Sequence, residues 1–446
     1  MTGHLKQSRI AKALTDRTNG ASSFEDAERR LNSIRVAIVL MPDQAATAAG
    51  QAAALTTINA SFKCFGNATL VGDSNSALMR KLPIGETMGT AAIALGATLA
   101  PAVPSNATHV ILIGNEAPTG GEVFVRCWWN GWQAGIVPAW DARAVGASCN
   151  PLAGVFSGAL GVREIFATVL GYPRCGSRVS VASLWTPGSD AEVSGEGPTT
   201  VYIPPRLWII GLGHLGQGLL WCLGLLPINQ FEAVLQDDQD AGEENEATGL
   251  LTRGDYIGRR KTRIAAAWLE RPGWRTRLLE RRHYGDIPLL SHDPSIVVTG
   301  LDEPAARMQI AMTGFEYLVD AGIGHGPVDF EALQIRILRK GVDPSMFWSS
   351  LRTAKNVDAL VEQDAYRVHA AAWGRCGTLA LAHASVSIPF VGAAVGALTL
   401  SQVIRLASMQ TTAQMMQMEL GAPGMALVGA TNSAPKESRG SVELRL

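Results

Sequence analysis

Leu207-Trp208-Ile209-Ile210-Gly211-Leu212-Gly213-His214-Leu215-Gly216 decides the fold of this chain. The apolar run reads as a buried strand, the glycines as a tight turn, and Leu215 to Leu226 as a helix. In that order the glycines let backbone amides approach a phosphate at a helix N-terminus. A turn that merely packs helix against strand closely has the same sequence, so the surroundings must separate the two readings.

Outward from this stretch, strands and helices alternate. Phe231–Gln236, Ile296–Gly300 and Tyr317–Asp320 read as strands, with a basic-faced helix predicted over Ile257–Glu270. Upstream, Arg35–Leu40, Asn67–Asp73, His109–Gly114 and Gln133–Pro138 read as strands around an Ala-rich helical pattern at Ala45–Ala60. Alternation of this kind predicts an α/β fold with parallel sheets and helices on their faces.

The alternation happens twice, and one phrase recurs with it. Pro151-Leu-Ala-Gly154-Val-Phe-Ser-Gly158-Ala159-Leu160 returns as Pro389-Phe-Val-Gly392-Ala-Ala-Val-Gly396-Ala397-Leu398, without a gap. Glycines that each weaken a helix by roughly 1 kcal/mol, kept at one spacing, point to a duplicated unit. The expected organisation is a polar arm with some helix at 1–30, a first domain at 31–175, a linker at 176–204, a second domain at 205–410 and a flexible tail at 411–446.

Composition bounds the function. The 446 residues suit two or three domains. A net charge of −1 offers no broad basic surface for nucleic acid. The 6 cysteines form no Cys-x-x-Cys pair, so neither a zinc ribbon nor a redox motif is read. Val386–Leu400 is nearly all apolar but short of the roughly 20 residues a membrane span needs, and reads as a buried helix. The first residues lack an apolar core, so no secretory signal is expected and the cytoplasm is the expected location.

The chemistry gathers in the second domain. Asp237, at the end of its second strand, sits where an acid grips ribose hydroxyls, although an acidic loop would look similar. Asn245 follows, then Gly258-Arg259-Arg260-Lys261. A lysine entering a helix near the glycine turn can neutralise phosphate charge, and the same basic run could equally be a solvated face. Asp302 lies just past a central strand, where open α/β sheets bind ligands, and an acid facing a triphosphate suits Mg²⁺.

Glycine loop, Asp237, Asn245, Lys261 and Asp302, in that order, resemble the ubiquitin-activating enzyme superfamily, which includes the ThiF and MoeB proteins. With Asn245 on the family's asparagine, Asp237, Gly258 and Lys261 fall on its strand-end acid, glycine and lysine without gaps. The resemblance extends to Asp302 as the Mg²⁺-binding acid, Arg307 as the arginine after it, and Cys376 with Pro389–Leu398 as the closing Cys and glycine-rich helix. It covers Arg206–Ser408 and, more weakly, Ile34–Gly171.

That resemblance implies two tandem ThiF-like adenylation folds forming an intramolecular pseudodimer. It implies binding of ATP by Gly211, Gly213, Gly216, Asp237, Asn245 and Lys261, with Mg²⁺ on Asp302. It further implies C-terminal adenylation of a ubiquitin-like protein, a thioester on Cys376 and transfer to a conjugating enzyme. An inactive copy fused to an active one is similar to the activating enzymes of bacterial ubiquitin-like conjugation operons associated with phage defence.

Two departures stand out. The family's Arg-Gln pair falls on Thr248-Gly249, so Arg253 or Arg263 is expected to replace the missing arginine. In the first domain, Met41-Pro42-Asp43-Gln44 stands where a glycine loop should be, and proline brings no amide donor. Asp73 remains there without the Asn and Lys series, so this half is expected to be inactive. The arginine that a partner half sends to the phosphates in the family is expected to be Arg17, Arg29 or Arg30. Three rival readings share parts of the motif: an NAD-dependent oxidoreductase, a ThiF-like sulfur-carrier activator, and an inactive scaffold.

Overall fold

The strand Arg206–Ile210 is present and fully paired in the computed structural model. The structure describes residues 8–18, 20–116, 120–147, 149–190, 194–348, 361–436 and 440–446, and within these the side chains at 8, 373, 376 and 377 are outside the description. Ile210 is level with Gln236 on one neighbouring strand and with Thr299 on the other. The residues that follow each of them, Gly211, Asp237 and Gly300, therefore emerge together at one edge of the sheet.

Two sheets share one plan. The first runs Thr98–Ala100, Thr69–Gly72, Val36–Leu40, His109–Ile113, Val125–Asn130, Gln133–Val137, Ser180–Ser183. The second runs Arg275–Leu279, Glu232–Gln236, Arg206–Ile210, Ile296–Thr299, Tyr317–Ile323, Ala332–Arg339, Met415–Glu419, Leu427–Val428. In each, the third, second, first, fourth and fifth strands pair parallel, and the remainder antiparallel. The fold is thus mixed α/β, and the duplication read from the repeated phrase is visible in the strand order.

The repeated phrases are the buried centre. Helices Pro151–Val169 and Pro389–Ala407 pack on each other, the first also on Ala48–Phe65 and the second on His214–Leu225. Both are long and apolar enough to cross a membrane by composition, yet both are almost entirely enclosed between the sheets. In the second, every residue except Arg405 is buried. Glycines permit this closeness: a Cβ on the shared Gly154 would lie 2.0 Å from Ala49 O, one on the shared Gly396 2.4 Å from Gly218 O, and one on Gly218 itself 2.0 Å from Gly392 O. Across the junction, Trp221 Nε1 donates to Thr56 Oγ1 at 2.9 Å, and buried Arg163 pairs with Glu331 at 2.8 Å.

A stability prediction follows from that spacing. Gly218→Leu should cost about 3 kcal/mol or more, at the upper end for overpacked cores, because the clash is with backbone that no rotamer can clear. A fall in the thermal midpoint checks it, with Leu219→Ile, which keeps volume, as the mild comparison.

Two expectations are corrected. The described residues of 411–446 do not form a flexible tail: Met415–Glu419 extends the second sheet and Val442–Arg445 pairs with Thr200–Ile203. Met416, Met418 and Leu444 turn inward at period two, a signal hidden among the glycines and alanines around them. The expected linker contributes Ser180–Ser183 to the first sheet. The arm carries helix, as expected, in Ser8–Thr15 and Phe24–Asn32, with Ile10, Ala11, Ala13 and Leu14 buried.

Candidate functional site

The aligned strand ends open into a cleft of about 350 Å³, within the usual range for small-molecule sites. The glycine loop forms its floor. Gly211 has φ +84, and a Cβ on Gly216 would lie 2.0 Å from Gly211 O, so both glycines are needed for the turn itself. Gly213 differs, since a Cβ there would meet nothing within 4 Å. At Gly213 the backbone borders open space in the cleft.

Asp237 is half-buried beside the loop. Its Oδ2 accepts from Leu212 N at 2.7 Å and its Oδ1 from Gln239 N at 2.8 Å. It therefore braces the glycine loop as well as facing the cleft. Asn245 is buried and its Oδ1 accepts from Gly242 N at 3.0 Å, leaving the amino end of the carboxamide to offer the cleft.

Gly258, at φ +81, lets the chain turn so that the helix begins at Lys261 and not at Ile257. Lys261 is buried at the cleft wall, its Nζ donating to Gln239 Oε1 at 2.7 Å. Its basic neighbours point elsewhere: Arg259 is exposed, Arg260 pairs with Asp240 at 3.3 Å, and Arg263 pairs with Glu280 at 3.0 Å. Of that run, only the lysine lines the cleft.

Asp302 stands exposed on the opposite rim. Its turn is held from behind. Arg307 donates to Leu301 O and pairs with Asp320 at 3.3 Å, and Arg336 pairs with the same carboxylate at 3.1 Å. Asp320 is fully buried and also accepts from Thr299 Oγ1 at 2.7 Å. Burial pushes its carboxyl up while the two guanidiniums pull it down. Among the described residues no group of three His, Cys, Asp or Glu could hold a metal ion. Glu303 and Asp238 also border the cleft, held by Arg282 at 3.9 and 3.3 Å, and a rim carboxylate such as Asp302 suits Mg²⁺ that takes most of its ligands from phosphate and water.

The arginines differ from expectation. Arg17 stacks on Tyr172 at 4.9 Å and donates to its hydroxyl at 3.1 Å, outside the cleft. Arg29 and Arg30 pair with Asp26 on the surface. Arg253 donates to Tyr256 Oη at 2.7 Å and lines a different cavity, between the two halves. Thr248, on the family's arginine position, is buried and donates to Glu244 O, while Gly249 is packed against the Gln217 carboxamide.

Four arginines border the cleft: Arg281 pairs with Asp286 at 2.9 Å, Arg282 with Asp238 at 3.3 Å and Arg307 with Asp320 at 3.3 Å, and the fourth, brought in by the N-terminal helix, is Arg9. Its Nε donates to Ser385 O at 3.0 Å. Burial lowers its pKa, opposed by the negative charges of Glu244 and Asp302, and a guanidinium in a protein stays charged regardless. The helix that carries it is fixed by Lys12, which pairs with Asp16 at 3.0 Å, while Tyr366 Oη donates to Asp16 at 2.8 Å. The signal for Arg9 was the spacing of Ile10, Ala11, Ala13 and Leu14, which marks one apolar helix face with Arg9 and Lys12 beside it.

His214 closes the loop's far side, its Nε2 2.8 Å from Ile388 O. Burial pulls its pKa down to about 4, so it is neutral at physiological pH. Cys376 is the second residue of helix Arg375–His383, and its side chain lies outside the described residues. Cys64, Cys127 and Cys222 are buried, and desolvation raises their thiols, that of Cys127 to about 12, which makes them poor nucleophiles.

The matching edge of the first sheet is filled. Pro42–Ala45 forms a short helix where the other half has glycines, and a Cβ on Gly114 would lie 2.5 Å from Met41 Cβ. Asp73 accepts from Asn75 N, Ser76 N and Ser76 Oγ in its own turn.

Sequence relatives match both halves. The model of the BilD N-terminal domain matches residues 35–184, and that of the BilD C-terminal domain residues 203–410. The bacterial E1-like protein BilD of Collimonas sp. (strain OK412) is 30% identical over 412 residues, covering 90% of this chain and 88% of that protein. Among solved structures, E. coli MccB with AMPCPP and MccA is 14% identical over 52% of this chain and 65% of that chain, with a TM-score of 0.34. E. coli MccB alone is 13% identical over 52% of this chain and 62% of that chain, with a TM-score of 0.32. The matches to both BilD domain models, and to BilD along nine tenths of its length, show that the chain belongs to the BilD family of bacterial E1-like proteins.

Proposed function

We propose that this chain activates a ubiquitin-like protein by adenylating its C-terminus with ATP. The observation that carries the reading is the convergence in one cleft of the glycine loop, Lys261, Asp302 and Arg9, the last delivered from the N-terminal helix. Lys261, Arg9 and a glycine floor suit a triphosphate, and Arg281, Arg282 and Arg307 add to the positive charge of the lining. In this reading the two halves form an intramolecular pseudodimer in which only the second turns over.

Asp237 and Asn245 hold the nucleoside side, Lys261 and Arg9 the phosphates. Asp302 would hold Mg²⁺, which supplies further neutralisation of phosphate charge. The substrate's C-terminal carboxylate attacks the α-phosphate, the bond to pyrophosphate breaks, and an acyl-adenylate results. The residues contribute positioning and charge stabilisation, since no side chain need form a bond.

A thiolate then attacks the acyl carbon and AMP leaves with the electron pair, giving a thioester for transfer to a conjugating enzyme. Cys376 is the candidate, after Arg375 and at the first turn of a helix. A role in phage defence, in the cytoplasm, completes the proposal. The test is ATP–pyrophosphate exchange dependent on a ubiquitin-like protein, together with a thiol-reducible adduct on this chain. Cys376→Ala should keep exchange and lose the adduct. An adduct that persists would assign the thioester to another thiol, and a free thiocarboxylate product would favour sulfur-carrier activation.

A further inference from the structure

Helix Ala48–Phe65 belongs to the half whose sheet edge is filled, yet two of its side chains reach the other half's backbone. Lys63 Nζ donates to Thr252 O at 2.8 Å and also to Glu246 O. Asn59 Nδ2 donates to Leu250 O at 2.9 Å. The segment they grip starts one residue after Asn245, which faces the cleft.

Its other end leads to the glycine loop. Gln217 Oε1 accepts from Leu251 N at 2.9 Å and from Thr252 N at 3.0 Å. The same carboxamide donates through Nε2 to Leu212 O at 3.3 Å. Lys63, residues 246–252, Gln217 and the glycine loop are thus one hydrogen-bonded series.

Core packing and a cavity share the middle of that series, in which Ala247, Leu250 and Leu251 are buried in the core. Glu246, Ala247, Leu250 and Leu251 border a cavity of about 440 Å³ between the halves. Atoms facing a void lose their dispersion partners on that side. Directional bonds then add to that packing in setting the segment's position, and those from Lys63 and Asn59 are buried, where an unmade bond is costly.

We propose that Lys63 and Asn59 are positioning residues for the nucleotide cleft, through which the half without a cleft sets the glycine loop of the half that has one. The inference rests on the reading of the cleft as an ATP site. Lys63→Met keeps the aliphatic stem and removes the donor; Lys63→Arg keeps donors; Asn59→Leu removes the second anchor alone.

The experiment is calorimetric binding of Mg·ATP to the intact chain, beside the thermal midpoint and amide exchange at Leu251, Thr252 and Leu212. Lys63→Met should weaken ATP binding about tenfold and speed exchange at those amides, Asn59→Leu should do both to a smaller degree, and Lys63→Arg should restore both. A merely structural role would lower the midpoint and the folded fraction while the folded molecules bound ATP as before. Wild-type affinity and exchange in Lys63→Met would overturn the proposal; should that variant fail to fold, the same result in Asn59→Leu would do so. A wild-type chain that binds no ATP would instead remove the ATP reading, and the exchange data would still report on the tether.

Discussion

Asp302→Asn should reduce ATP–pyrophosphate exchange by about 10²-fold or more, a loss near 3 kcal/mol of transition-state stabilisation, in the range for deleting one charge-stabilising group. The fold should be indifferent. Asp302 is exposed, and the turn that carries it is held by Arg307 on Leu301 O and by the buried Arg307–Asp320–Arg336 group, none of which uses the Asp302 side chain. The thermal midpoint should therefore stay with wild type while exchange collapses. Metal-free ATP should still bind, since Lys261, Arg9 and the glycine loop remain. Equal losses of exchange and of stability would show that Asp302 is structural.

Arg9→Ala should have the second largest effect, again about 10²-fold in exchange, because a guanidinium already held in the cleft meets developing phosphate charge without reorganising. Two comparisons make the result specific. Arg17→Ala should leave exchange near wild type, because Arg17 is spent on Tyr172. Arg9→Lys should recover only part of the loss: the ammonium keeps the charge but not the planar fork, one arm of which is anchored on Ser385 O. The helix should persist in all three variants, since Lys12, Asp16 and Tyr366 fasten it independently. Exchange that survives in Arg9→Ala would take the N-terminal helix out of the mechanism.

What could be read in the sequence divides along local and non-local lines. The strand–glycine–helix stretch, Asp237, Asn245, Lys261 and Asp302 were legible because spacing along one βα unit fixes where each strand end emerges, and all of them line the cleft. Arg9 was not legible in the same way. Its place depends on a helix that crosses to residues more than 350 positions away, through Lys12, Tyr366 and Ser385. Arg253 looked suitable by proximity in sequence, but it turns to Tyr256 on the other side of the segment. The C-terminal strands were missed for a different reason. Met415–Glu419 buries only every second residue, and short alternations among small residues resemble loop composition. Gln217 and Asp320 carry no motif at all, and only the folded arrangement reveals how many bonds each collects.

The paired central helices also bear on how the molecule is made. Pro151–Val169 leaves the ribosome long before Pro389–Ala407, the apolar partner that covers it. At a synthesis rate of roughly 5–20 residues per second, the first half waits on the order of ten seconds or more with one face of a membrane-compatible helix uncovered. Its neighbours Ala48–Phe65 and the first sheet shield the rest. Nascent chains of this protein should therefore pass through an interval in which chaperones, or a bilayer, compete with the unborn second repeat for the same surface.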